Sequence, residues 1–373
     1  MTRILALAGD VSALIADIRL RTPLQALTAE TGWSLKLRSF HECRRSDVAA
    51  ADVMAVQRGA SARAWRLQQA MRLRGGAVIY EVDDLITDLP PHVSNQQAMH
   101  GCRDWVRRCL AMADAVTVST RRLGDELGLP QALLVPNHAW PASDVPLPTF
   151  DPGQPVTLLI ASMECMASHF IHPALLALQG PGLDIVVMGP PGAAFEAAGI
   201  RVQRHSLMPR ADFMTLARNL PNAVAVIPLE SSRFAACKSA IKWFEYAELG
   251  VPVLCSDVSP YREVVQHDQT GWLVPNTAAD WQAALQNAID NPPARRALAI
   301  SARERVRQHH TLAQTATAWQ VAVQHALAAR QAAGPLSPTL SWRVSDAMGG
   351  AVDELTCQLR ERNRARLARR RRG

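Results

Sequence analysis

Twice along this chain, short apolar runs alternate with helix-like stretches, and that order admits few folds other than a parallel sheet covered by helices on both faces. The first series opens with residues 3–8 (RILALA), passes through a helical pattern at Leu14, Ile18 and Leu27, and continues with runs at Val53–Val56, Ala77–Tyr80 and Ala115–Val118. Helix-like stretches at Ala62–Arg74 and Asp104–Met112 lie between those runs. Five prolines (Pro141, Pro146, Pro148, Pro152 and Pro155) then argue against helix or central strand between Asn137 and Val156. Beyond them the pattern restarts with Thr157–Ala161, Asp184–Met188, Ala223–Ile227 and Val253–Cys255, and a helical run extends from Asp280 to Ala333. A length of 373 residues is too great for one ordinary core and suits two domains. The expected class is therefore α/β, with two doubly wound domains facing a cleft. The expected boundaries are 1–140 for the first domain, 141–155 for the linker, 156–334 for the second domain and 335–373 for a C-terminal helix carrying a basic tail.

In doubly wound sheets, ligands bind beyond the carboxyl ends of the strands, so this layout suits a nucleotide on one side and a second substrate on the other. The turn after the first strand, Ala8-Gly9-Asp10-Val11-Ser12, is not GxGxxG, and no GxxxxGK[ST] occurs, so the phosphate fingerprints of nicotinamide dehydrogenases and P-loop enzymes are absent. Seven cysteines without a CxxC pair signal neither a disulfide framework nor a zinc cluster. No uncharged apolar stretch reaches the roughly 18 residues of a membrane span, and the first residues lack a secretory signal, so the chain reads as cytoplasmic.

The net charge of +7 resides entirely in residues 360–373, which hold eight arginines and one glutamate. The other 359 residues carry 32 basic and 32 acidic side chains. A neutral body with a basic end, lacking interleaved aromatic residues, argues against nucleic acid and points Arg360 to Arg372 toward an anionic membrane surface. Of forty basic residues only Lys36, Lys238 and Lys242 are lysines. Two lysines four residues apart in so arginine-rich a chain suggest a site that needs a compact ammonium.

Both of those lysines lie in residues 228–256, PLESSRFAACKSAIKWFEYAELGVPVLCS. The spacing predicts a helix that begins near Lys238 and ends at Gly250-Val251-Pro252, with Lys238, Lys242 and Glu245 at i, i+4 and i+7 on one face. Amides at such a helix start attract a diphosphate, the two ammonium groups add charge, and Glu245 lies where a carboxylate can accept hydrogen bonds from ribose hydroxyls. The segment KSAIKWFEYAELGVPVLCSDVSPYREVV, followed by QTGWLVP, resembles the donor-binding region of GT-B glycosyltransferases, above all the retaining family four and related bacterial surface-polysaccharide transferases. The resemblance covers about residues 222–307 well; ASHFIHPALLAL, IVVMG, EVDDLITDLP, ADAVTVST and LLVPN match more loosely.

The resemblance implies two Rossmann-like domains and a pair of glutamates separated by seven residues, the second on ribose and the first near the donor sugar. Here the second is Glu245, and Cys237 stands at the first position, a departure from the pattern. The implied donor set is Lys238 and Lys242 on the leaving phosphate, with Cys237, Ser239 and Glu245 beside them, and Ser168 and His169 from the turn after the second domain's first strand. Asp83 and Asp84, just beyond a first-domain strand, are candidates for acceptor hydroxyls rather than for a metal, because two carboxylates alone make a poor cage. Arg19 and Arg58 are candidates for acceptor or donor phosphate. The implied activity moves a sugar from a nucleoside diphosphate sugar to a glycan or lipid-linked acceptor, retaining, without metal or further cofactor. The alternatives are an epimerase or hydrolase on the same scaffold, and a GT-B glycan-binding or scaffold protein that has lost its chemistry.

Overall fold

The computed structural model describes residues 1–93, 101–140, 150–151, 153–162 and 169–334. The proline-rich linker lies mostly outside these residues, as do Ser168, the helix expected from Val344 and the arginine tail. The described chain forms two compact units.

The first unit is built on six parallel strands: β1 (Arg3–Ala8), β2 (Ser34–Ser39), β3 (Val53–Gln57), β4 (Ala77–Val82), β5 (Ala115–Val118) and β6 (Leu133–Leu134), in the order β2-β1-β3-β4-β5-β6. Every residue of β3 and β4 is buried, as expected of interior strands covered on both faces. The edge strand β2, SLKLRS, alternates polar with apolar residues, and its short period hides it between two helices in the sequence. Ile4, Ala6, Val53, Ala55, Ala77 and Ile79 share one face of this sheet. They pack against Leu20, Leu24 and Leu27 and against Trp319, Ala322, Val323 and Ala326 of the helix Leu312–Ala332.

The second unit has six more parallel strands: β7 (Val156–Ala161), β8 (Leu183–Met188), β9 (Gln203–His205), β10 (Ala223–Ile227), β11 (Val253–Ser256) and β12 (Trp272–Val274), in the order β12-β11-β10-β7-β8-β9. Read from the other edge this is 3-2-1-4-5-6, the doubly wound order that reverses between β7 and β10. Alternate residues serve two cores. Leu159, Ala225, Val253 and Cys255 pack with Trp243, Phe244 and Ala247, while Leu158, Ile160, Val224 and Leu254 pack with Leu175, Phe195, Trp281 and Leu285.

The division between units departs from the expected boundaries. Asn137–Gln314 and a short stretch beginning at Leu89 form the second unit, and from Thr315 the chain belongs to the first. The run expected as one helical block from Asp280 to Ala333 is three helices, Ala278–Asp290, Pro292–His309 and Leu312–Ala332. Asn291 caps the second of these with its side chain, which breaks the run. The third is carried to the first sheet by its own apolar stripe. There Trp319 Nε1 donates to the Arg19 carbonyl at 3.0 Å, and Thr315 Oγ1 donates to the Pro136 carbonyl at 3.1 Å. Among the described residues, no helix is long and apolar enough to cross a membrane.

Candidate functional site

The reversal between β7 and β10 opens a crevice at their carboxyl ends, and the chain leaving β10 runs along it. Leu229 is pinned there by its amide, which donates to Ser256 Oγ at 2.8 Å, and by its carbonyl, which accepts from Asn276 Nδ2 at 2.8 Å. Ser232 then caps the short helix Arg233–Ala236 by accepting from the Ala235 amide. On the neighbouring side Gly189 follows β8 at φ +93°, where an added Cβ would lie 2.0 Å from the Ser162 carbonyl oxygen. No side chain fits at that position, so the turns after β7 and β8 come together through bare backbone.

The expected continuous helix from Lys238 is not formed. Residues 237–240 leave helical geometry, and a second helix, Ile241–Leu249, starts after them. The break is held by Asn137 Nδ2, which donates to Ser239 Oγ at 2.6 Å, a contact that propensity along a single segment does not reveal. Lys238 therefore does not share a helical face with Lys242 and Glu245. Its ammonium lies 4.3 Å from the centre of the Phe234 ring, a cation–π contact. Cys237 is fully buried. Gly250, at φ 72°, ends the second helix in the left-handed cap that the Gly-Val-Pro sequence led us to expect.

Lys242 and Glu245 remain on one helix, one turn apart. The Lys242 ammonium donates to the Ala161 carbonyl at 2.8 Å, which places the charge at the carboxyl end of β7. Glu245 Oε1 lies 2.9 Å from Arg210 Nη2, and its side chain keeps 15% of its surface exposed. Burial raises the carboxyl above its ordinary value, against the opposing charges of Arg210 and Lys242. Arg210 opens the helix Arg210–Asn219, and its guanidinium lies 4.6 Å from the centre of the Trp140 ring. His169 is exposed at the start of the single turn His169–Ile171. Neither Arg210 nor Trp140 stood out in the sequence. One arginine among thirty-seven carries no signal, and its pairing with Glu245 spans a strand and two helices.

In the first unit the structure brings Arg58, Asp83 and Asp84 together. Arg58 follows β3 at φ 47°, a conformation unusual for a side chain of its size, and turns its guanidinium onto the carboxylates that follow β4. Its Nε pairs with Asp83 Oδ1, and its Nη2 donates to Asp83 Oδ2 at 2.7 Å and to Asp84 Oδ2 at 3.0 Å. Burial pushes the Asp83 carboxyl up, but Arg58 outweighs it and holds the group below its ordinary value. The same pairs raise Arg58 against the effect of burial. Arg19 is not an open phosphate ligand: it has no exposed surface, its Nε donates to Glu81 Oε1 at 2.8 Å and its Nη1 donates to the Val135 carbonyl at 2.7 Å. It was misread because Glu81 is a charge in the middle of the fully buried β4 and takes the nearest cation. Burial pushes Glu81 up to about 7 even with Arg19 beside it. Among the described residues no group of three or more His, Cys, Asp or Glu is placed to hold a metal ion.

Residues 168–320 match a family model described as glycosyl transferase-like. No curated protein sequence matches the chain. Among solved structures, sucrose-phosphate synthase from Thermosynechococcus elongatus superposes with a TM-score of 0.63 at 16% identity, over 88% of this chain and 100% of that one. HepE of Anabaena, solved in complex with UDP-glucose, gives 0.61 at 12% identity over 86% and 99%. The lipopolysaccharide outer core galactosyltransferase WaaB gives 0.60 at 10% identity over 87% and 99%.

Proposed function

We propose that this chain, a glycosyltransferase of the GT-B fold whose second unit carries the glycosyl transferase-like domain, moves a sugar from a nucleoside diphosphate sugar to a hydroxyl of a glycan or lipid-linked acceptor. The observation that carries the reading is the meeting of Lys242 and Glu245 at the point where the second sheet reverses. A nucleotide laid in that crevice offers ribose hydroxyls to the Glu245 carboxylate. Its diphosphate lies toward the ammonium of Lys242 and the unpaired amides at the start of Ile241–Leu249. Charge grows on the departing phosphate as the glycosidic bond breaks, and a fixed cation stabilises it without reorganising. The acceptor hydroxyl attacks from the face the phosphate leaves, with retention at the anomeric carbon. Asp84, partly exposed and held by Arg58, is the carboxylate we assign to acceptor hydroxyls. The pairing of both aspartates with Arg58 supports a reaction without metal.

HepE is solved with UDP-glucose, so a uridine diphosphate sugar is the first donor to test. Incubation with UDP-, GDP-, ADP- and dTDP-sugars and a lipid-linked acceptor, followed by mass spectrometry, should show an acceptor one sugar heavier with one of them. Free sugar without a heavier acceptor would favour the hydrolase reading. One observation favours a second reading: the position at which the resemblance expects a sugar-contacting carboxylate holds Cys237, with no exposed surface. Tight donor binding with neither product would make this a GT-B binding protein.

A further inference from the structure

The reading of Glu245 as the ribose ligand leaves Arg210 and Trp140 without a role, and the following inference rests on that reading. Glu245 enters the crevice from a helix whose next residue, Tyr246, packs edge-on against Phe213 with ring centres 6.0 Å apart. Phe213 lies one helical turn after Arg210, so the contact that docks the two helices also sets Arg210 beside Glu245. The guanidinium is then fixed from its other side by the face of Trp140, and the Arg210 side chain retains only 10% exposure. An arginine held on a ring and on a helix register meets the carboxylate in one geometry, with little rotational freedom left to lose.

We propose that Arg210 is a positioning residue: braced on Trp140, it holds the Glu245 carboxylate ionised and oriented, so that the oxygen not engaged by arginine accepts from ribose.

The surroundings give this a pH dependence. Four titratable groups face Glu245: Arg210 from the helix Arg210–Asn219, Lys242 and Tyr246 from its own helix, and Tyr261 from the turn Tyr261–Val264. Both phenols are pushed up by burial and by Glu245 itself, so they stay neutral through the working range and supply no charge. Burial drives Glu245 toward its protonated form, and only the two cations oppose it. A protonated carboxyl spends one oxygen as a donor and loses its charge-assisted hold on a hydroxyl. Removing Arg210 therefore moves the loss of nucleotide binding to higher pH, while Lys at the same position restores part of the effect.

The test follows the carboxyl directly in the full chain, by 13C NMR of labelled glutamate with the Glu245 signal assigned by its loss in Glu245→Gln. Arg210→Gln keeps a long stem over Trp140 and is the primary variant; Arg210→Lys is the rescue. The expected result is an upward move of the Glu245 midpoint by about one pH unit or more in Arg210→Gln and by less in Arg210→Lys. Calorimetry with UDP, run beside GDP and ADP, should then show about tenfold weaker binding of the accepted nucleotide by Arg210→Gln at pH 6 and near-wild-type binding at pH 8.5. An unmoved midpoint in Arg210→Gln overturns the inference, whatever the nucleotide does. Wild-type affinity in Glu245→Gln would instead remove the ribose reading, and the NMR midpoints would still decide whether Arg210 holds the carboxylate.

Discussion

The carboxyl edges of the two sheets handle charge in different ways. Along the first, each charged group has been answered by another: Arg58 grips Asp83 and Asp84, and Arg19 grips Glu81 inside the sheet. Along the second, Lys242 reaches a backbone carbonyl that cannot neutralise it, and Glu245 is held from one side by Arg210. Buried pairs that satisfy one another hold a fold together and are costly to break, whereas charge answered by a neutral dipole remains available to a ligand. A sugar acceptor, rich in hydroxyls, needs fixed acceptors and donors without net charge. A diphosphate needs an uncompensated cation. The two edges therefore differ in the way that the two substrates of a sugar transfer differ.

The first way to break that comparison is to unbalance the quiet edge. Arg19→Ala strands Glu81 in β4 and should cost about 3 to 5 kcal/mol, measured by chemical denaturation at pH 8. If Arg19 contributed to the ligand edge instead, stability would hold and activity would fall. The same site has a pH signature. A carboxyl at about 7 when folded, against an ordinary value of 4.5, binds its proton more tightly in the folded state. Its stabilising contribution is complete below about pH 4.5 and is lost as pH rises through about 7. Glu81→Gln should flatten that part of the stability profile.

At the other edge, Glu245→Gln should weaken nucleotide binding by about 1.5 to 3 kcal/mol in calorimetry, with the melting temperature little changed. Unaltered binding would return Glu245 to the fold. Lys242→Ala should lower turnover by about 10- to 100-fold, from about 1.4 to 2.7 kcal/mol of lost transition-state stabilisation. Lys238→Ala should do less, because its ammonium is already occupied by the Phe234 ring. Equal losses in the two variants would show that the break at residues 237–240 closes when donor binds. EDTA should leave turnover unchanged, and a loss restored by manganese or magnesium would convert Asp83 and Asp84 into metal ligands. The smallest effect concerns residues outside the described structure: deleting 359–373 should abolish salt-sensitive binding to anionic liposomes yet leave turnover on a soluble acceptor unaltered.

Much of this was legible in the residues. Eight of the twelve strands lie where apolar runs mark them, because strands buried on both faces need unbroken apolar sequence. The four others, β2, β6, β9 and β12, are short or lie at sheet edges, where one polar face or two residues leave no contrast to read. Lys242 and Glu245 could be found because helical spacing joins them within one turn. The displacement of Lys238 could not, since it depends on Asn137 reaching Ser239 across 102 positions. Arg58 and Asp83 were each singled out, yet their union follows from β3 and β4 being neighbours, which strand order alone supplies. Arg19 was misassigned because an arginine after a first strand looks the same whether it faces solvent or a buried glutamate.

The helix Leu312–Ala332 also bears on how the molecule is made. The first sheet is synthesised first, but the stripe of Trp319, Ala322, Val323 and Ala326 that covers part of its apolar face is synthesised after the whole second unit. During translation the second unit, nearly continuous from Asn137 to Gln314, has all its strands available while the older one still waits for its cover. Until that helix arrives, Ile4, Ala6, Val53 and Ile79 lack part of their packing, and the growing chain carries an adhesive surface at its oldest end. Any lesion that delays or frays the late helix should therefore appear as aggregation of the early domain, far from the altered codon.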